Sequence, residues 1–250
     1  MFRYLKTHWP GILYGVLLTG FTIYLVMDTF LISKVYRLAE QKEASGTYSN
    51  VTETSKTFYE DDQISIKLTE YREEDTTIYV ADVVLSSPEY LKTAFAKNSY
   101  GKNVTEKTSE IAAEKNAILA INGDYYGAQE KGYVLRNGNL YRNEAEEGQE
   151  DLVIYQDGKF GIISEEDITA EELLEQGAQE ILSFGPALIQ DGAISVTEEE
   201  EVGKAMASNP RTAIGIIDDF IMCLLYQMDV LRKAKDYLFW NWQNLWIRLA

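Results

Sequence analysis

Histidine and cysteine are almost missing from this sequence, and each scarcity removes a class of chemistry. Among 250 residues there is one His, His8, and one Cys, Cys223. Ser-His-Asp and Cys-His nucleophiles need a histidine at the reacting group, whereas His8 adjoins an apolar N-terminal run. A single Cys forms no intrachain disulfide, and Cys- or His-rich zinc sites lack their ligands. Cations are scarce too: 23 Lys and Arg against 40 Asp and Glu give a net charge of −17. Phosphate backbones demand clustered cations, so nucleic acid is excluded as a partner. The same charge disfavours adsorption of the polar part to anionic lipid.

What is present begins with a membrane segment. Residues 10–32, PGILYGVLLTGFTIYLVMDTFLI, are apolar apart from Thr residues and Asp28. That length crosses a hydrocarbon layer of about 30 Å as a helix. Bulky Phe30, Leu31 and Ile32 run on into Lys34, with no A-x-A-like cleavage site, so residues 1–37 are read as a cytoplasmic stub and uncleaved signal anchor. Asp28 lies near the outer end, within reach of the interface. Residues 38–62 are polar without periodicity and are read as a linker.

From residue 63 to 219 the chain reads as one domain of the α+β class, a mixed, largely antiparallel sheet with inserted helices. Alternating runs at 64–71 and 77–85 predict a hairpin. Pro88 opens a predicted helix over EYLKTAFAK, and 105–116 predicts another. The apolar run 117–122 predicts a buried strand. Asn137-Gly138 and Asp157-Gly158 each predict a hairpin turn. Thr169 and Glu172 form a capping box for a helix ending at Gly177. Short strands are expected at 181–183, 187–190 and 213–217. Asn50-Val-Thr and Asn103-Val-Thr match glycosylation sequons, a weak pattern.

Three segments join an apolar strand to a polar or Gly-rich end: AINGDYYG (120–127), SFGPALIQDG (183–192) and NPRTAIG (209–215). In the first, Gly123 permits a sharp turn that aims Asn122 and Asp124 into one cavity, and Tyr125 and Tyr126 offer ring faces to a sugar. The competing reading is an Asn-Gly turn with core tyrosines. In the third, Asn209 and Pro210 precede Arg211, whose planar fork suits phosphate oxygens; a structural salt bridge is the competing reading. The middle segment reads most simply as a chain reversal. Asp124 and Arg211 are the catalytic candidates, with Asn122, Gly123, Tyr125, Tyr126 and Asn209 as substrate contacts. No metal ligand set or cofactor is assigned.

Composition changes abruptly after Asp219. Residues 220–250 contain no Gly or Pro and hold three of the four Trp. Read one nucleotide earlier, with permitted wobble choices, the same stretch can encode HYVFVVSDGR, then, after two loosely fixed residues, ESEGLSLLELAEFM. Single-codon Met and Trp force Val after Met222, Gly after Met228, Glu after Trp240 and Ala after Trp242. The tail is therefore read as an out-of-frame product, against the alternative of a genuine amphipathic helix. On that reading the strand at 213–217 loses its neighbour, the VFVVS run.

Taken in order, VADVVLSSP, AINGDYYG, YVLRNGNLYR, SFGPALIQDG and NPRTAIG resemble the phosphodiester glycosidase family over roughly residues 64–217. The out-of-frame peptide is similar to its next segment. The resemblance implies hydrolysis of a sugar 1-phosphodiester on a surface glycan. It also places the domain outside the cytoplasm, at the cell membrane. An acidic phosphate leaving group lessens the need for a general acid; a carboxylate and a cation carry the reaction, with no histidine. Asp124 and Arg211 take those roles, and Asn122 orients sugar hydroxyls. The family's Asn-Leu-Asp-Gly-Gly-Gly-Ser-type motif is not in this sequence, so the 250-residue chain is expected to be inactive. The alternative is a non-catalytic surface module that binds anionic glycans.

Overall fold

The computed structural model describes residues 2–39, 53–73, 76–195, 210–218 and 221–229. Helix α1 (Phe2–Phe30) contains the apolar run, and its 8–30 portion is long and apolar enough to cross a membrane. Carbonyls at its C-terminal end lack a partner within the helix, and the one of Thr29 is met from the domain. Asn103 Nδ2 donates to Thr29 O (2.9 Å) and Ile32 O (3.2 Å), and Ser33 Oγ donates to Asn103 O (2.8 Å). Asn103 is thus a clasp in the structure, engaged through the atom that a glycan would modify. Strand β1 (Lys34–Leu38) follows at once and pairs antiparallel with β6 (Ser99–Lys102). Lys34 Nζ also reaches back to Asp28 at 2.6 Å.

The region read as a linker is partly sheet. β2 (Glu53–Thr54) and β3 (Phe58–Glu60) lead into β4 (Ile64–Glu73) and β5 (Thr76–Leu85). Asp61 organises that approach by accepting from the backbone of Gln63 and Ile64, an Asx turn. With β14 (Arg211–Asp218) and β15 (Ile221–Asp229), these strands form a six-stranded sheet ordered β14-β15-β5-β4-β3-β2. β15 lies inside it, with Ile221 opposite both Asp218 and Val84. The strand at 213–217 is therefore an edge strand with a neighbour, and the expected loss of that neighbour is corrected. A ladder is made by backbone groups, which any apolar run without proline supplies.

A second, five-stranded sheet is ordered β10-β9-β11-β7-β8. Its strands are β7 (Val134–Arg136), β8 (Asn139–Arg142), β9 (Glu150–Tyr155), β10 (Phe160–Ser164) and β11 (Ala178–Leu182). Asn137 and Gly138 have φ of 50° and 74°, the type I′ turn that the Asn-Gly pair predicts. At the β9–β10 turn only Gly158 is left-handed (φ 88°), so Asp157 adopts an ordinary conformation. Helix α3 (Ala170–Glu175) starts as its capping box requires: Thr169 Oγ1 accepts from Glu172 N, and Glu172 Oε2 accepts from Thr169 N. It packs Leu173 against Leu135, Val153 and Ile181, all fully buried. Paired antiparallel strands and short helices make the domain α+β.

Two expected elements differ. After Pro88 there are two short 3₁₀ turns (Pro88–Tyr90 and Ala96–Asn98) with irregular chain between them, not an α-helix. Thr93 donates its hydroxyl to Glu180 (2.6 Å) and its carbonyl accepts from Asn137, while Phe95 is buried; these tertiary contacts override a weak helical propensity. The other helix is shorter than expected, α2 (Thr108–Glu114). Residues 117–122 are not a buried strand: they join no ladder among the described residues, and Ile118 is 45% exposed. An apolar run becomes a strand only where a partner's backbone lies alongside. The remaining hairpin, β12 (Ile189–Gln190) and β13 (Ala193–Ile194), turns on Asp191-Gly192.

Candidate functional site

The unladdered run 117–122 delivers Asn122 to the open end of the two sheets. Asp124, two residues on, turns inward. Arg136, at the end of β7, donates from Nη2 to both Asp124 carboxylate oxygens at 2.7 and 2.6 Å. The backbone N–H of Ser183, just past β11, adds a third bond at 3.1 Å. Arg136 Nη1 is used by the carbonyls of Leu135 and Ile181. Both side chains are buried, Asp124 to 2% and Arg136 to 5% exposure. An ion pair this deep is worth little over an apolar pair, but removing one partner is costly because the other charge is stranded. The cation that meets Asp124 is thus Arg136, a residue the sequence did not single out.

The other two segments reach the same place. Thr212 Oγ1 donates to Asn122 Oδ1 at 2.9 Å, bringing the start of β14, and so half-buried Arg211, beside the 122–126 loop. Tyr125 is 53% exposed and meets Phe184, 52% exposed, edge to face with centroids 5.3 Å apart. This open aromatic pair is what a sugar face would meet. Ser183 and Phe184 therefore bring the middle segment into the site, where a bare chain reversal was expected. Asn209 lies outside the described residues.

Tyr126 goes elsewhere. Its ring stacks on Tyr100 (5.5 Å, 23°) and meets Phe95 edge-on, and burial pushes its hydroxyl up to about 12. The Arg136 guanidinium carbon lies 5.8 Å from its ring centroid. Gly123 is not among the left-handed glycines, and a Cβ there would meet only Leu182 Cδ2, at 3.8 Å. The sharp turn expected of it is absent; its smallness leaves space.

Two buried carboxyls stand behind the site. Glu180, 2% exposed, is pushed up to about 7 by burial, although Thr93 and the Asn137 N–H donate to it and Arg136 is near. Asp151, 1% exposed, is pushed up to about 8, first by burial and then by Glu165 beside it. Glu180 ties β11 to Thr93 and Asn137, whereas both Asp151 oxygens are buried with no hydrogen-bond partner among the described residues. Among the described residues no group of three or more His, Cys, Asp or Glu is placed to hold a metal ion.

A sequence hint of Arg136 existed. In the buried hairpin pattern VLRNGNLYR it is the one charge before the turn, in a chain rich in acids needing a partner. Ser183 gave no comparable hint, since its contribution is a backbone N–H.

The sequence profile described as phosphodiester glycosidase matches residues 115–237, covering the 122–126 loop, Arg136, Ser183 and β14 and running past residue 220. The SPbeta prophage-derived uncharacterized protein YomE of Bacillus subtilis (strain 168) is 23% identical over 131 residues. That stretch is 50% of this chain, which spans only 20% of the length of that relative. Among solved structures, the zebrafish N-acetylglucosamine-1-phosphodiester alpha-N-acetylglucosaminidase catalytic domain, auto-inhibited by its pro-peptide, aligns with a TM-score of 0.49 and 13% identity. The alignment covers 88% of this chain and 73% of that one.

Proposed function

From the premise that the chain belongs to the phosphodiester glycosidase family, we propose that it derives from a membrane-anchored, extracytoplasmic hydrolase. Its substrates are glycosyl-1-phosphodiester linkages of surface glycans. The observation that carries this reading is the meeting of three distant segments through Asn122–Thr212, Asp124–Ser183 and Tyr125–Phe184. Arg211 is the phosphate's cation and Asn122 the orienting amide. Tyr125 is the platform for the sugar ring. Asp124 is the buried carboxylate behind the sugar site, held by Arg136 and the Ser183 N–H. Three hydrogen bonds from two donor groups already occupy it, so its negative charge is fixed in place for a developing oxocarbenium ion, and proton abstraction from water falls to another group.

We hold residues 220–250 to be read in a shifted frame. Both frames supply an apolar strand at 221–229, so the ladder beside β14 tolerates either. The difference falls beyond it, where the shifted frame would give GLSLLELAEFM. Within the run at 117–121 Leu119 packs on the Ile66–Leu85 core, whereas Ile118, 45% exposed, supports a missing neighbour, and the chain as given is expected to be inactive. The anchor orientation follows from the substrate, which lies on the outside.

The test is an assay of both full-length forms, the present chain and a frame-restored one, in detergent. The substrate is the methyl diester of α-N-acetylglucosamine 1-phosphate. Sugar release by the restored form alone is expected, lost in Arg211→Ala. No release by the restored form overturns the hydrolase reading. A second reading, binding of anionic glycans without turnover, is favoured by the occupied Asp124 carboxylate. Saturable binding of the diester without release would establish it.

A further inference from the structure

A cavity of about 330 Å³ has Tyr126 in its wall. Its aromatic wall is built by Tyr36 of β1, Tyr100 of β6, Tyr126 and Tyr141 of β8. None of Asn122, Asp124, Ser183 or Arg211 lines it. The volume is at the small end of ligand pockets. Its rings are fixed by one another: Tyr100 lies 5.3 Å from Tyr141 and 5.9 Å from Tyr36, and the Arg37 guanidinium covers Tyr141 at 4.7 Å.

The polar wall decides what fits. Lys102 and Arg142 bring two positive charges, Glu130 and Glu144 two negative ones, and Lys102 is already bonded to Glu130. An anion would meet two carboxylates and a cation two basic groups. Asn143 adds an amide, and Gln129 Oε1 is buried in the wall with no hydrogen-bond partner among the described residues. Burial raises the Tyr100 and Tyr126 hydroxyls, which stay neutral and can donate. Ring faces, balanced charge and unspent amide capacity suit an uncharged ligand with one apolar face and many hydroxyls.

We propose that this cavity is a binding subsite for a neutral pyranose unit, completed by the strand that leaves the anchor helix. Tyr36 belongs to that strand, and its place depends on Gly101. A Cβ at residue 101 would fall against the Lys34 carbonyl and 2.9 Å from Val35 Cα, so β1 passes only over glycine. Anchor and domain thus form the subsite together, at the end of α1 where Asn103 clasps the helix. The subsite stands apart from the reacting centre, so the inference does not rest on turnover.

The experiment is saturation-transfer NMR on the full chain in detergent. The probes are methyl α-glycosides of glucose, mannose and N-acetylglucosamine, with methyl phosphate as the charged control. At least one glycoside should bind saturably and methyl phosphate should not. Tyr36→Ala, an exposed position, should weaken binding by about tenfold, as loss of one stacking face implies. Gly101→Val, which lifts β1, should do the same, and Asn122→Ala with Arg211→Ala should leave binding intact. The inference is overturned if no glycoside binds, if methyl phosphate binds in their place, or if binding survives Tyr36→Ala but is lost in the Asn122/Arg211 double variant. The hydrolase reading would stand in each of those cases.

Discussion

The five-stranded sheet and the site at its end are built from the same chain by opposite means. Within the sheet, two of the four pairings are local: β7 joins β8 and β9 joins β10 through short turns, and β11, reached straight from α3, closes the sheet between them. Its core residues Leu135, Val153, Leu173 and Ile181 have no exposure. At the site, partners are far apart: Asn122 meets Thr212 across 90 residues and Asp124 meets Ser183 across 59. The surrounding groups are half-open, with Tyr125 and Phe184 more than half exposed. Rigid hairpins hold a mobile-prone constellation in register, and the burial of Arg136 joins the two regions.

Breaking that joint should give the largest effect. Arg136→Met removes the guanidinium that is bonded to Asp124 and strands a carboxylate at 2% exposure. The expected loss is about 3–5 kcal/mol, a large part of a domain's net stability. Denaturant unfolding of the full chain in detergent would measure it. A loss below about 1 kcal/mol would mean that Asp124 finds water or another donor, and that the joint is not as dry as described.

The second prediction sets the two regions side by side. Leu173→Ala empties a fully buried position and should cost about 2–5 kcal/mol. Ile118→Ala, at 45% exposure in the unladdered run, should change stability by less than about 0.5 kcal/mol. In a frame-restored chain the Ile118 variant should cost more, since the restored segment would cover that run. Equal small effects in both chains would count against the missing neighbour.

This contrast also explains what the sequence could tell. Elements fixed by local chemistry were legible: the 64–85 hairpin, the Asn137-Gly138 turn and the Thr169 capping box all form where their residues predict. The helix after Pro88 failed because Thr93 and Phe95 are claimed by distant groups. In the site, Asn122, Asp124 and Arg211 were singled out by residue type and setting. Arg136 was missed because its partner lies 12 residues away across a loop, and Tyr126 was aimed at substrate although its ring is claimed by Tyr100 and Phe95. Backbone donors such as Ser183 N leave no trace in residue type.

The third prediction concerns pH. Glu180 rises from 4.5 to about 7 and Asp151 from 3.8 to about 8, both chiefly through burial. Between the unfolded and folded values the native state holds protons that the unfolded chain has released. Stability is therefore fullest below the unfolded values and falls as pH rises from about 4 to about 8, the reverse of an ion-paired acid. The melting temperature should be higher at pH 5 than at pH 8, since each unit of raised pKa is worth about 1.4 kcal/mol of stability over that range. Glu180→Gln and Asp151→Asn should each flatten that slope. A melting temperature that climbs over this range would show that the framework carboxyls are ionised in the fold.

The smallest effect on stability is expected at Gly123, where fold and site are separable. Its φ is not left-handed, and an added methyl would meet only Leu182 at 3.8 Å. Alanine fits that backbone and restricts the unfolded chain, so Gly123→Ala should leave stability unchanged or raise it by about 0.4–1 kcal/mol. Gly132 supplies the contrast: it is buried with φ at 92°, so its alanine variant should be destabilised whatever space it finds. If the fold does not need glycine at 123, the space beside Asn122 and Asp124 is there for something that approaches the backbone. The methyl group should then weaken binding of the sugar phosphodiester by the frame-restored chain while the melting temperature holds. Unchanged binding together with unchanged stability would move the sugar away from this loop and onto the Tyr125–Phe184 pair alone.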